Sequence, residues 1–222
     1  VSAAEEGKRF VPAAGRRGLT RFYDATIALT MRERLFRGRL AEQVLAGLTD
    51  SGRIVDVGAG TGTLAIALSA AAPGATMVGV DPDPEVQAIA KGKEGAGAVE
   101  WLSGFGDRLP LEDGSCERVV MSLLLHHLDA AAKRAALAEA RRVLRPGGRI
   151  HIADWGKAQD PLMRSTFFVL QLIDGFDGTR DHVAGRLPGF VEEAGFGAVR
   201  RNDRLRTGWG TLELLSAERG DA

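Results

Sequence analysis

The chain has 222 residues, 45% of them hydrophobic, enough for one well-buried domain with a small cap. Its 29 basic and 29 acidic residues balance, which removes the global field that would draw in nucleic acid or an anionic membrane. The single cysteine, Cys116, rules out an internal disulfide, and no run approaches the ~18 apolar residues of a membrane span. These features lead us to expect a soluble, cytoplasmic protein, with Cys116 as a small buried hydrophobe.

Residues 1–18 mix Gly, Ala and charges without clean periodicity and read as a loosely docked lead-in. From Leu19 to Leu48 apolar residues recur at helical spacing, among them Phe22, Ala25, Leu29, Phe36, Leu40 and Val44. They predict two helices, broken near Thr30 or Gly38, in an N-terminal cap over 1–48. A core of alternating elements follows, with strands over 53–57, 76–80, 98–102, 117–124 and 148–153 and helices over 62–72, 84–91 and 130–144. Strands separated by helices imply right-handed βαβ units and a doubly wound, mostly parallel α/β sheet with helices on both faces. After Trp155 two apolar helical stretches, Leu162–Ile173 and Thr179–Ala194, predict a lid insertion at about 156–195 within a domain over 49–222. Two closing strands are predicted over 198–205 and 209–217.

The chemistry concentrates at the strand tips. The first strand runs into Asp56-Val57-Gly58-Ala59-Gly60-Thr61-Gly62, and a helical segment follows at once. Alternate glycines let a backbone approach a ligand closely, and a helix start offers N–H groups to a polar ligand edge. The second strand ends in Asp81-Pro82. A carboxylate at that tip suits the two hydroxyls of a ribose, or else the N-cap of the next helix. The glycine spacing departs from G-x-G-x-x-G because position 63 is Thr, and no Gly-Lys-Ser/Thr follows. No basic residue lies between Arg53 and Lys91 to offset a di- or triphosphate. A ribose and an adenine without phosphates fit better, which describes S-adenosylmethionine.

Asp56-x-Gly58-x-Gly60-x-Gly62 with Asp81 resembles the cofactor site of class I S-adenosylmethionine-dependent methyltransferases. Arg108-Leu109-Pro110, the run from Ser122 to His126-His127-Leu128, and Arg142-Val143-Leu144-Arg145-Pro146-Gly147-Gly148 match in the same order. The likeness runs from about Val55 to Trp155 and resembles the small-molecule enzymes of quinone biosynthesis in particular. It implies a seven-stranded Rossmann-like sheet with a C-terminal antiparallel hairpin. It also implies a cofactor site of Asp56, Gly58, Ala59, Gly60, Gly62, Asp81, Pro82, Phe105, Gly106, Asp107 and Ser122. Asp56 would orient the loop or the methionine amino group. Many relatives place an acid where Phe105 stands here, so either Phe105 packs on the adenine or Asp107 reaches its amino group.

Methyl transfer from a sulfonium needs alignment, dryness and loss of a proton from the acceptor. His127 and His126, at the tip of the fourth strand, are candidate bases, weighed against a structural role. Tyr23, beside Asp24, resembles an aromatic-acid pair that relatives fold over the cofactor, or it packs a cap helix. His151 reads as buried mid-strand, and His182 as a weaker candidate in the lid. Asp154 would orient the acceptor or a basic side chain, with Trp155 as an apolar wall. No metal-ligand spacing occurs. The expected partner is a small, apolar or aromatic methyl acceptor, with no nucleic acid, and the chain itself a monomer or homodimer. An idle S-adenosylmethionine-binding sensor or scaffold is the alternative.

Overall fold

The computed structural model of the protein describes residues 32–220. It opens with α1 (Glu33–Leu45), β1 (Arg53–Val57), α2 (Thr63–Ala71), β2 (Thr76–Val80), α3 (Pro84–Lys91) and β3 (Val99–Leu102). Then come β4 (Cys116–Ser122), α4 (Ala130–Val143) and β5 (Leu144–Trp155). Three helices, α5 (Pro161–Asp174), α6 (Phe176–Val183) and α7 (Leu187–Glu193), precede the hairpin β6 (Gly197–Thr207) and β7 (Gly210–Glu218). The strands form a seven-stranded sheet in the order β3-β2-β1-β4-β5-β7-β6. β1 to β5 pair in parallel, and β7 runs antiparallel to both β5 and β6. This is the Rossmann-like α/β sheet with a C-terminal hairpin that the alternation and the resemblance imply. Its strand order reverses between β1 and β4, so a crevice opens beyond the carboxyl ends of those strands.

The apolar strands bury both faces, as parallel strands covered by helices must. Val55 and Val57 of β1 face a layer formed by Ala136, Leu137 and Ala140 of α4 and Phe190 of α7. Ile54 faces the opposite layer, with Phe36, Leu40 and Val44 of α1 and Leu64 and Leu68 of α2. Helix starts follow local chemistry. Asp129 caps α4 by accepting from Ala132 N at 2.8 Å, and Asp160 caps α5 by accepting from Met163 N at 2.9 Å, with Pro161 in the first turn.

Several boundaries differ from the sequence reading, each for a local reason. α1 passes through Gly38 without a break. The ~1 kcal/mol cost of a helical glycine is outweighed by burial of Phe36 and Leu40 on either side of it, both 0% exposed. Thr30, the other break considered, lies outside the described residues. The second helix expected after Trp155 divides into α6 and α7 because Gly185, at φ +72°, closes α6 in the left-handed conformation that favours glycine. β4 ends at Ser122 rather than residue 124, because Leu123 turns to φ +54°. β5 begins early, at Leu144, which pairs with Cys116 before the Pro-Gly-Gly corner, and register resumes at Arg149 opposite Arg118.

Phe36 joins α1 to the sheet and is fully buried. Phe36→Ala is expected to lower the unfolding free energy by about 3–5 kcal/mol, measured by urea denaturation; a loss below 1 kcal/mol would mean that α1 is not part of the cooperative core.

Candidate active site

The crevice at the topological switch is a cleft of about 690 Å³, within the size range of sites for cofactors and drug-sized ligands. Its floor is the turn after β1. Gly58, Gly60 and Gly62 have φ of +72°, +54° and +78°, values that side chains rarely adopt. The N–H groups at the head of this turn are paired within the protein: Gly58 and Ala59 donate to Val80 O at 2.8 and 3.0 Å, and Gly60 donates to Asp81 Oδ2 at 2.8 Å. What the turn offers at Gly60 is therefore space, since a Cβ there would meet no atom within 4 Å.

Asp81 accepts one N–H at each oxygen, from Gly60 and, at 2.9 Å, from Asp83. A carboxylate oxygen has a second lone pair, so both can still accept a hydroxyl from the cleft that Asp81 lines. Asp81 does not cap α3, the alternative open in the sequence. Asp83 does so, accepting from Glu85 N at 2.8 Å, because Pro84 occupies the first helical position. Burial raises the Asp81 carboxyl above its ordinary value, and the two backbone donors oppose that rise. Asp56 is 2% exposed, and its Oδ1 has no hydrogen-bond partner. Burial pushes its pKa up to about 7, with Arg37 pulling it down and Asp81 pushing it further up.

Opposite the glycine turn, Gly104, Phe105, Gly106 and Asp107 line the cleft after β3, and Ser122, Leu123 and Leu124 line it after β4. Leu123 is a buried leucine at positive φ, donating its N–H to Ala153 O at 2.8 Å. Such strain persists only where surrounding contacts enforce it. The short helical turn Leu125–His127 that follows is held by Asp154 at the end of β5. Asp154 is fully buried; its Oδ2 accepts from Leu125 N and His126 N, and its Oδ1 accepts from Trp155 N and pairs with His126 Nδ1 at 2.8 Å. Despite the cost of burial, His126, His182 and these hydrogen bonds hold its carboxyl well below the usual range.

The two adjacent histidines therefore differ. His126 turns inward to Asp154 and does not line the cleft, whereas His127 does. Burial lowers the His127 pKa to about 3, with His126 adding to the fall, so its imidazole is neutral at ordinary pH. Helix α6 packs directly on this turn. Gly178 of α6 lies so close to His126 that a Cβ would sit 2.1 Å from its carbonyl oxygen. Lys133, fully buried on α4, donates to Gly178 O at 2.6 Å. His182 Nδ1 lies 2.6 Å from Trp155 O, so it carries the proton and donates to that carbonyl.

The structure thus brings Asp56, Gly58, Ala59, Gly60, Asp81, Pro82, Phe105, Gly106, Asp107, Ser122 and His127 to one cleft. Gly62 lies outside the lining; a Cβ there would sit 2.4 Å from the Trp101 ring and 2.8 Å from Ala90 Cβ, so helix–strand packing requires the glycine. His151 is buried in β5 with its pKa lowered to about 3 by burial. Tyr23 lies outside the described residues. Asp154 orients a basic side chain, His126, rather than facing the cleft. The sequence reading missed Arg37, Leu123, Leu128 and the stretch Gly175–Gly178, all on the cleft wall. Only the last carried a signal, two glycines bracketing Phe176-Asp177; Arg37 is one of many scattered arginines. Among the described residues no His, Cys, Asp and Glu cluster is placed to hold a metal ion, and no helix is long and apolar enough to cross a membrane.

Comparison with known proteins agrees with this geometry. Residues 54–148 match the family model described as a methyltransferase domain. The 2-methoxy-6-polyprenyl-1,4-benzoquinol methylase of Leishmania donovani is 32% identical over 71 residues, covering 32% of this chain and 24% of that protein. The ubiquinone/menaquinone biosynthesis C-methyltransferase UbiE of Paracoccus denitrificans is 28% identical over 138 residues, covering 51% of this chain and 54% of that protein. The matches thus span between a quarter and about half of these relatives' own length. The YcgJ protein of Bacillus subtilis shares the fold with a TM-score of 0.65 at 18% identity, over 84% of this chain and 98% of that one. Over residues 54–148 the chain is thus similar to methyltransferase domains, on the Rossmann-like α/β sheet described above. S-adenosylmethionine is the cofactor that this similarity implies. The open cradle at Gly60 and the free lone pairs of Asp81 fit its phosphate-free nucleoside.

The raised pKa of Asp56 has a consequence for stability. A folded value near 7 lies above the ordinary aspartate value of 3.8, so the folded protein holds a proton that the unfolded chain releases, and stability falls as pH rises from about 4 to 7. Asp56→Asn is expected to stabilise the ligand-free protein by roughly 2–4 kcal/mol at pH 8 and by much less at pH 4.5. Denaturation at both pH values checks this; an equal effect at the two would remove the assignment.

Proposed function

We propose that this chain moves the methyl group of S-adenosylmethionine to a neutral, apolar or aromatic small molecule, of the kind the quinone methylases it resembles act on. The observation that carries this reading is the make-up of one continuous cleft. The glycine turn and Asp81 form one end, and Leu124, His127, Leu128 and Phe176 line the other. That second end has no lysine or arginine among its described lining residues, which disfavours an anionic acceptor. Its acids, Asp129 and Asp177, are exposed at the rim.

The cofactor supplies a sulfonium-activated methyl group with a neutral thioether leaving group, so the protein has no anion to stabilise at the donor. Asp81 accepts the ribose hydroxyls and Gly60 leaves room for the backbone-close part of the nucleoside. Phe105, Gly106 and Asp107 surround the adenine end, with Ser122 near the methionine portion. Leu124, Leu128 and Phe176 exclude water and align the acceptor. His127, kept neutral by burial, takes the acceptor's proton, while His126 and Asp154 position its turn. In this reading α5–α7 are the lid over about 156–195, and α1 belongs to the N-terminal cap.

Titration calorimetry with S-adenosylmethionine and S-adenosylhomocysteine, followed by an acceptor screen led by hydroquinones and phenols, tests the reading. Binding of both ligands and turnover on a neutral aromatic are expected; turnover only on charged or peptide acceptors would overturn the substrate class. Asp81→Ala should weaken cofactor binding by about 1.5–3 kcal/mol, with unchanged affinity in a folded variant removing the ribose assignment. His127→Ala should lower kcat while leaving cofactor affinity within about twofold. Because its pKa lies near 3, the wild-type kcat profile should show no His127 inflection between pH 6 and 8. A kcat unaltered by His127→Ala would exclude it as the base.

A further inference from the structure

Helix α5 is apolar on two opposite faces. Met163 and Phe167 point inward and are buried, with the Phe167 ring 5.5 Å from that of Trp155. Leu162, Phe168, Val169 and Leu172 are exposed on the outer face, and Phe176 opens α6 beside them, its ring 6.2 Å from that of Phe168. These five are the exposed large hydrophobic side chains among the described residues, from 45% exposed at Phe176 to 63% at Leu172. A helix apolar all round is one that is covered all round. The outer positions 162, 165, 169 and 172 lie three and four residues apart, the spacing of a helix-pairing seam.

The hydroxyls on this stretch of α5 already have their partners within the helix. Ser165 Oγ donates to Pro161 O at 3.0 Å and Thr166 Oγ1 to Met163 O at 3.2 Å. Covering them costs little, since neither gives up a bond. Arg164 Nη1 is likewise turned along the helix, donating to Gln171 Oε1 at 3.1 Å. The five apolar side chains expose roughly 500 Å² together, at about 200 Å² for each when bare. That area reaches the ~1,000 Å² of a specific interface only when both partners contribute an equal share. An anionic lipid surface would call for basic flanks, but residues 156–186 hold four lysines and arginines against four aspartates. The seam is self-complementary instead. Antiparallel on a copy of itself, α5 sets Leu162 against Leu172 and Val169 against the small Ser165, with the positive end of each helix beside the negative end of the other.

We propose that two copies of the chain pair through the outer face of α5 about a two-fold axis, the helices antiparallel and Leu162 facing the partner's Leu172. This goes beyond the methyltransferase reading and stands whatever the cleft binds. The pairing reaches the cleft through Phe176, which lines it: the second copy covers the exposed side of that ring and so shields one wall from water.

Sedimentation equilibrium of the whole chain tests this, with a dimer expected at micromolar concentration. Leu172→Glu, which alters a side chain already exposed in the single copy, should weaken dimerisation by about 100-fold while the circular dichroism of the fold is kept. Disulfide trapping reads the orientation, because the native Cys116 is buried. A mixture of Leu162→Cys and Leu172→Cys should cross-link between the two variants, and each alone far less. A wild type that stays monomeric overturns the proposal, and slow maleimide labelling of Leu172→Cys in that monomer would assign the stripe to residues 1–31 instead. A dimer that survives Val169→Glu and Leu172→Glu together lies elsewhere and overturns it as well. Equal cross-linking of each cysteine variant with itself overturns the antiparallel arrangement.

Discussion

The active end of this protein depends on the burial of one carboxylate. Asp154 has no access to solvent, and a charge so placed must be met by donors on nearly every side. It collects them from β5 itself, from the turn after β4, and from His126. That requirement fixes how β4 ends, and with it the left-handed Leu123 and the direction in which His127 faces. Helix α6 inherits the constraint, because Gly178 packs on the His126 carbonyl and Lys133 binds the Gly178 carbonyl from beneath. Sheet, turn and α6 meet at a point where each holds another in place.

The other two acids of the cleft show how environment divides one chemistry into different tasks. Asp81 meets two backbone donors and so joins the ends of β1 and β2 while keeping lone pairs toward the cleft. Asp56 has an unpartnered oxygen and a neighbouring cation on a different element, and it titrates near neutrality. The first arrangement is satisfied by backbone donors, whereas the second leaves a buried carboxylate oxygen without a hydrogen bond. The two histidines divide in the same way: His126 turns to a carboxylate, and His127 faces the cleft under desolvation.

The strands and helices of the core were legible because period-two and period-3.6 patterns report burial directly, and their ends carried caps and glycines. β1 and β2 fall on 53–57 and 76–80 as read, and α3 on 84–91. The reading was weaker where two local signals competed. Asp81 and Asp83 are both acids before a proline, and only the path of the chain decides that Asp83 caps the helix. Gly62 looked like a third floor glycine, but Trp101, almost forty residues on in the chain, is what excludes a side chain there.

By itself the sequence determined the sheet, the glycine turn, the acid at the tip of β2 and the class of cofactor, because each depends on residues near one another along the chain. Only the tertiary structure decided that Arg37 faces Asp56's side of the cleft, that His127 rather than His126 is presented, and that Gly175–Gly178 completes the wall. Those are contacts between residues tens of positions apart, set by how helices α1 and α6 pack on the sheet, and no local pattern records such packing.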